Sequence, residues 1–205
     1  MSALMKTEQQ FSANYYHEGM MWINSYTLSW NMVSANNDQM DQNIALDRIR
    51  YYIHEILDGC AFCWWEDEEQ IQALLNASFK VVEVPGVCFD QIILITLWHK
   101  FNAIVQPNMV IPDMTIKSTN GDNVEFHYSH ESEVMDMFDR DSAWWLSDKL
   151  NWSSTQKVKK QGKIISLNKE LDWKDVGLGW DVKEVSENPG RVIVMPKKKD
   201  DKKKK

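Results

Sequence analysis

Five of the ten tryptophans, Trp144, Trp145, Trp152, Trp173 and Trp180, fall in a carboxy-terminal third that is otherwise charged and turn-rich. An indole covered by protein gains on the order of 2 kcal/mol over one left in water, so this third has to lie against a surface. Two surfaces qualify: the arm wraps its own domain, or it docks on a partner, since Trp is a frequent anchor of interface hot spots. On the second reading Trp144, Trp145, Trp173 and Trp180 are the partner-binding residues, apolar anchors ringed by charge.

Charge narrows the choice of partner. The stretch from Lys197 to Lys205 holds seven lysines and two aspartates, a net of +5 within a total of −7, so the remaining chain carries −12. An acidic body repels phosphate backbones, whereas sequence-neutral nucleic-acid binding requires Lys and Arg to displace counterions. A local role survives for Lys157, Lys159, Lys160 and Lys163 in "QKVKKQGK", which with Trp152 and the lysine tail would form a stacking and electrostatic platform for single strands. The alternative is a solvated loop followed by a solubilising tail.

A chain of 205 residues with 43% hydrophobic content supports one sizeable domain with an appended arm. "MSALMKTEQQ" has no apolar core behind a basic start, and no run approaches the roughly 18 apolar residues of a membrane span, so a cytoplasmic protein without a membrane segment is expected. Three cysteines, an odd number, fit reduced thiols.

Residues 1–22 are polar without a sustained period and read as a leader. From Ile23, "INSYTLSWNMVS" sets Tyr26, Leu28, Trp30 and Met32 on one face of a strand. "NNDQMD" supplies caps for a helix over "QNIALDRIRYYIHEILDG", with Ile49, Ile53, Ile56 and Leu57 at helical spacing and Gly59 as its stop. "CAFCWW" reads as a strand, "EDEEQIQALLNA" as a short helix, "FKVVEVPG" as a strand, and "VCFDQIILITLWHKFNAIV" as a helix buried on more than one side. "MVIPDMTIKS" and "NVEFHYS" form a hairpin about Asn120–Gly121, a dipeptide that tolerates positive φ. The expected fold is α+β over residues 23–130, a mixed and mostly antiparallel sheet with helices on one face. A ferredoxin-like split βαβ core leads as topology. A doubly wound parallel sheet is weaker, because no glycine-rich turn follows the first strand. The tryptophan-bearing arm then spans residues 131–196 and the lysine tail 197–205.

Catalytic signals are sparse. Cys60 and Cys63 form a single CxxC, but three positions apart on a strand their sulfurs face opposite sides, which suits buried thiols better than zinc. His127 and His130 in "FHYSHESE" are the best metal-dependent hydrolase candidates, provided that the chain turns at Ser129. No Walker loop, GxSxG, HExxH or dinucleotide fingerprint occurs, so no cofactor is expected and an enzyme is the lesser reading.

"GDNVEFHYSHES" followed by "AWW", together with "ALDRIRYYIHEIL" and "FKVVEVPG", resembles small uncharacterised proteins of large tailed bacteriophages. The resemblance carries over no catalytic residue. It implies expression in a bacterial cytoplasm and a role in host takeover, genome handling or virion assembly. The function expected is that of a non-enzymatic accessory or regulatory factor that binds a protein, with a homodimer left open because surplus aromatics also suit a symmetric contact.

Overall fold

In the computed structural model, which describes residues 4–17, 19–35, 38–132, 135–138, 143–153 and 172–180, the first element is a strand and not a leader. β1 (Leu4–His17) pairs antiparallel with β2 (Met20–Ser34) along its whole length, Leu4 opposite Val33 and His17 opposite Met20. Its alternation is faint because the face turned to the core carries Thr7 and Gln9 in its first half, and only Phe11 and Ala13 are fully buried. β2 behaves as its sequence dictates, with Tyr26, Leu28, Trp30 and Met32 buried on one face.

Asp38 caps α1 (Gln39–Tyr51) by accepting from the backbone N–H of Met40 and Asp41. A π-helical turn continues it over Tyr52–Leu57, and Gly59 follows at φ +73°. β3 (Ala61–Trp64), α2 (Glu68–Asn76) and β4 (Val81–Val84) form a parallel βαβ unit in which Ala61 lies opposite Val81. α3 (Asp90–Val105) leads to the short β5 (Met109–Val110), then to the hairpin of β6 (Asp113–Ser118) and β7 (Phe126–Ser129). In the turn between β6 and β7 the positive φ angles belong to Asp122 and Asn123, not to Gly121. Gly121 serves another purpose: a Cβ there would sit 2.7 Å from the Asp90 carboxylate.

The strand order is β4-β3-β1-β2-β6-β7, with β5 on β2, parallel from β4 to β1 and antiparallel onward. The class is therefore α+β with a mixed sheet, but the long β1–β2 hairpin occupies its centre where a ferredoxin-like core would place a split βαβ. α1 and α3 cover one face, where Ile49, Phe101 and Leu97 join Trp30, Leu28 and Ile116 in the main core. α2 covers the other: Ile71 and Leu74 pack with Ala61, Cys63 and Val81 in a second cluster. Helices thus sit on both faces of the β3–β4 end, because alternate residues there are apolar on both sides.

Candidate interaction surface

A buried cation decides where the arm goes. Lys100 stands on α3 with no exposed surface, and its ammonium donates to the carbonyls of Trp144 (3.3 Å), Ser147 (2.8 Å) and Lys149 (2.6 Å) and to Asn151 Oδ1 (2.7 Å). It also faces the rings of Tyr52 and Trp144, each centroid at 5.6 Å. Burial drives its pKa well below the usual range and Asp148 opposes that shift. Four oxygen acceptors with no donor among them match an ammonium and not a neutral amine. Held this way, residues 143–153 lie along β4. The Glu83 N–H donates to the Trp152 carbonyl (3.3 Å), Trp144 Nε1 donates to the Glu83 carbonyl (2.9 Å), and Ser153 Oγ donates to the Glu83 carboxylate.

The second stretch of the arm is held by Arg48 of α1. Its guanidinium donates to the carbonyls of Leu178 (2.8 Å) and Ile104 (3.0 Å) and lies 5.0 Å from the Trp173 ring and 3.9 Å from the Trp180 ring. Burial lowers its pKa to about 10. Trp144, Trp145 and Trp173 are buried and the partly buried Trp180 packs against the core, so these four indoles are engaged within the chain. Large aromatic area beside two desolvated cations favours the intramolecular seat. The signal in the sequence is Lys100 itself, the single Lys or Arg of a helix whose apolar residues nearly encircle it.

The remaining candidates separate. Lys157, Lys159, Lys160 and Lys163, and the lysine tail, lie outside the described residues. His127 is exposed on β7 opposite Thr115. His130 lies past the strand end, where its N–H donates to the Pro112 carbonyl (3.1 Å). The chain does turn after Ser129, yet among the described residues no three His, Cys, Asp or Glu side chains are grouped to hold a metal ion, so the hydrolase reading finds no assembled site there. Cys60 lies in the main core and Cys63 in the second cluster, on opposite sides of the sheet. Burial raises both thiols, Cys63 to about 12, and Cys88 is raised likewise. None is a ready nucleophile at neutral pH.

What is left open is the end of the β1–β2 hairpin. β3 meets β1 only at Asn14 and Tyr15, and the β6–β7 turn braces β2 only as far as Ile23, through Asn120 Nδ2 donating to the Ile23 carbonyl (3.0 Å). At and beyond these supports Met20, Met21, Trp22 and Ile23 are 53%, 38%, 44% and 76% exposed, four consecutive apolar residues with Tyr15 and Tyr16 opposite Trp22 and Met21. Alternation places Met21 and Ile23 on one face of the ribbon and Met20 and Trp22 on the other, so both faces are apolar. "MMWI" across from "YY" is the signal in the sequence, and it straddles the boundary between residues 1–22, which lack a sustained period, and the strand that begins at Ile23.

The molecule is thus an α+β protein on which residues 143–153 and 172–180 dock, with an apolar ribbon at one end of its long hairpin, and among the described residues no helix is long and apolar enough to cross a membrane. No protein-family model and no curated protein matches the chain. It is similar to the crystal structure of the uncharacterized protein WS1659 from Wolinella succinogenes, at 13% identity and a TM-score of 0.47, over 64% of this chain and 99% of that one.

Proposed function

We propose that the protein is a non-enzymatic, protein-binding accessory factor whose contact element is the tip of the β1–β2 hairpin. The observation that carries this reading is the exposure of Met20, Met21, Trp22 and Ile23 in one continuous run. Isolated exposed apolar residues are ordinary, whereas a contiguous patch on a projecting element is a hallmark of recognition. Methionine adapts to irregular partner surfaces and Trp is the commonest hot-spot anchor, so the partner is a protein that offers an apolar groove to Trp22 and Ile23. The buried thiols and the separated His127 and His130 lend no support to catalysis. The test is capture from a cell lysate by the full chain and by a Trp22→Ala/Ile23→Ala variant, with a photo-crosslinker at position 21 to mark direct contact. Loss of the crosslinked partner in a variant of unchanged thermal stability is expected. Equal capture by both proteins ends the reading.

A further inference from the structure

The backbone of β1 has a second, unused side. Asn14 N–H donates to the Cys60 carbonyl and the Ser12 carbonyl accepts from Gly59 N–H (2.7 Å each), so even-numbered residues of β1 direct their backbone groups away from β2 and toward β3. β3 begins opposite Asn14, at Ala61, and runs parallel to β1 away from Leu4. From Leu4 to Gln10 the even residues therefore point their N–H and C=O groups to the side of β1 that β3 does not reach. Leu4, Lys6, Glu8 and Gln10 are exposed, and β1 packs chiefly on β2, β3 and the π-helical turn. An extended edge of this kind is a template for another strand unless it is covered or blunted. β4, the outer strand on this same side of the sheet, is covered by residues 144 and 152 through Glu83.

We propose that a second copy of this chain covers the β1 edge, the two β1 strands pairing antiparallel about a two-fold axis through Thr7. The argument is charge and register. Edge pairing requires even residues opposite even residues, since only those present free donors and acceptors. An axis at Glu8 sets glutamate against glutamate, and one at Lys6 sets lysine against lysine. An axis at Thr7 sets Lys6 opposite Glu8 of the second copy, twice by symmetry, and Leu4 opposite Gln10, also twice. This register engages every even residue from Leu4 to Gln10 and ends before Ser12, whose N–H donates to Asp58 Oδ1 (3.0 Å) and whose carbonyl is already taken. Glu8 Oε2 accepts from Ser29 Oγ (3.0 Å), which holds the carboxylate on the outer face, the face on which the Lys6 of the second copy would stand. The seven-stranded sheet would then run continuously through the dimer. The proposal is independent of the hairpin tip, which lies at the other end of β1.

Sedimentation analysis of the full chain over a concentration series is the test, with hydrogen exchange at the Lys6, Glu8 and Gln10 amides. A concentration-dependent dimer with slowed exchange at these amides is expected. Glu8→Lys turns both attractive pairs repulsive and should weaken the dimer about tenfold, since each cross-strand charge pair contributes modestly and symmetry doubles it. The double variant Lys6→Glu/Glu8→Lys has the composition of the original and should restore it, which also controls for folding. Glu8→Pro removes an edge donor without touching the β1–β2 ladder and should give a folded monomer. Trp22→Ala/Ile23→Ala should leave the dimer unchanged, so failure of the tip reading and failure of this one are distinguishable. A monomer at every concentration, a dimer indifferent to Glu8→Lys and Glu8→Pro, or a charge swap that fails to restore pairing would each overturn the proposal.

Discussion

At the β4 edge Glu83 donates its N–H to the Trp152 carbonyl and its C=O accepts from Trp144 Nε1, while at the β1 edge Lys6, Glu8 and Gln10 hold the same groups away from β2 with no strand beside them among the described residues. The two edges belong to one sheet, and what separates them is the cation behind the first. Lys100 gathers three carbonyls and one side-chain amide of residues 144–151 and thereby delivers residues 143–153 to β4; among the described residues nothing comparable stands beside Leu4–Gln10. A polar, tryptophan-bearing segment docks on its own domain when a desolvated cation can satisfy its backbone, because packing alone would leave those carbonyls buried and unpaired. An apolar segment without such a partner, such as Met20–Ile23, stays outside.

A large effect should come from removing that cation. Lys100→Met keeps the stem volume but orphans four acceptors, of which the Trp144 carbonyl is buried and the other three part-buried, and a loss of about 3 kcal/mol is expected, as when one member of a buried polar constellation is deleted. Urea unfolding followed by tryptophan emission would report it, with a red shift of the native spectrum as Trp144 loses its seat. A variant as stable as the original would mean that the arm docks by packing alone. Arg48→Leu should cost less, about 2–3 kcal/mol, because it forfeits two carbonyl contacts and two ring contacts of the 172–180 stretch while Lys100 still secures residues 143–153. Proteolysis should then cleave near residue 180 and spare β4. Uniform sensitivity along the arm would show that the two cations do not act separately.

Much of this frame was legible beforehand, and the omissions share a cause. The capped α1 after Asp38, the two-sided α3 and the alternation in β2 are local patterns, and each appears at its place. β1 was not legible because its core-facing side carries Met5, Thr7 and Gln9, which are only partly covered, so period two never rises above its polar content. Missing β1 forfeits the sheet order, since β1 sits between β2 and β3, and with it the ferredoxin-like topology fails. Lys100 escaped for the opposite reason. Composition marks it as a surface residue, and only the fold shows that α3 turns it toward residues 144–151, over forty positions away in sequence. Docking of Trp173 and Trp180 on Arg48 is a long-range event of the same kind. The requirement that the indoles be covered was readable; the identity of the covering surface was not.

A further contrast concerns His99, which neighbours Lys100 on α3. Its ring stacks on Phe138 at 5.9 Å and meets Trp98 at 4.9 Å, its Nε2 is buried without a hydrogen-bond partner among the described residues, and burial lowers its pKa from the ordinary 6.5. Unlike Lys100 it has no oxygens to receive a charge. A depressed histidine makes the folded state poorer in protons than the unfolded one. Stability is therefore complete above the ordinary value and falls as pH drops through it toward the folded value, with a limiting slope of about 1.4 kcal/mol per pH unit. His99→Phe keeps the stack and should flatten this dependence between pH 7 and 5. A slope equal to that of the original would assign the acid sensitivity to another group.

The smallest effect on stability should come from the hairpin tip, and that smallness sharpens the comparison. Trp22 lies opposite Tyr15, where the β3 contact ends, and Ile23 at the brace from Asn120, with side chains 44% and 76% exposed, so replacing them with alanine removes far less covered area than a change in the core. Exposed substitutions away from caps and cores usually change stability by no more than about 0.5 kcal/mol. Tryptophans buried against Lys100 and Arg48 belong to another regime, where Trp144→Ala should cost about 3–5 kcal/mol through the cavity it leaves. Thermal unfolding of the two variants side by side separates an indole kept for folding from one kept for contact. Should Trp22→Ala prove as costly as Trp144→Ala, the tip would have to be packed against something within the folded protein, and its availability to a partner would be lost with it.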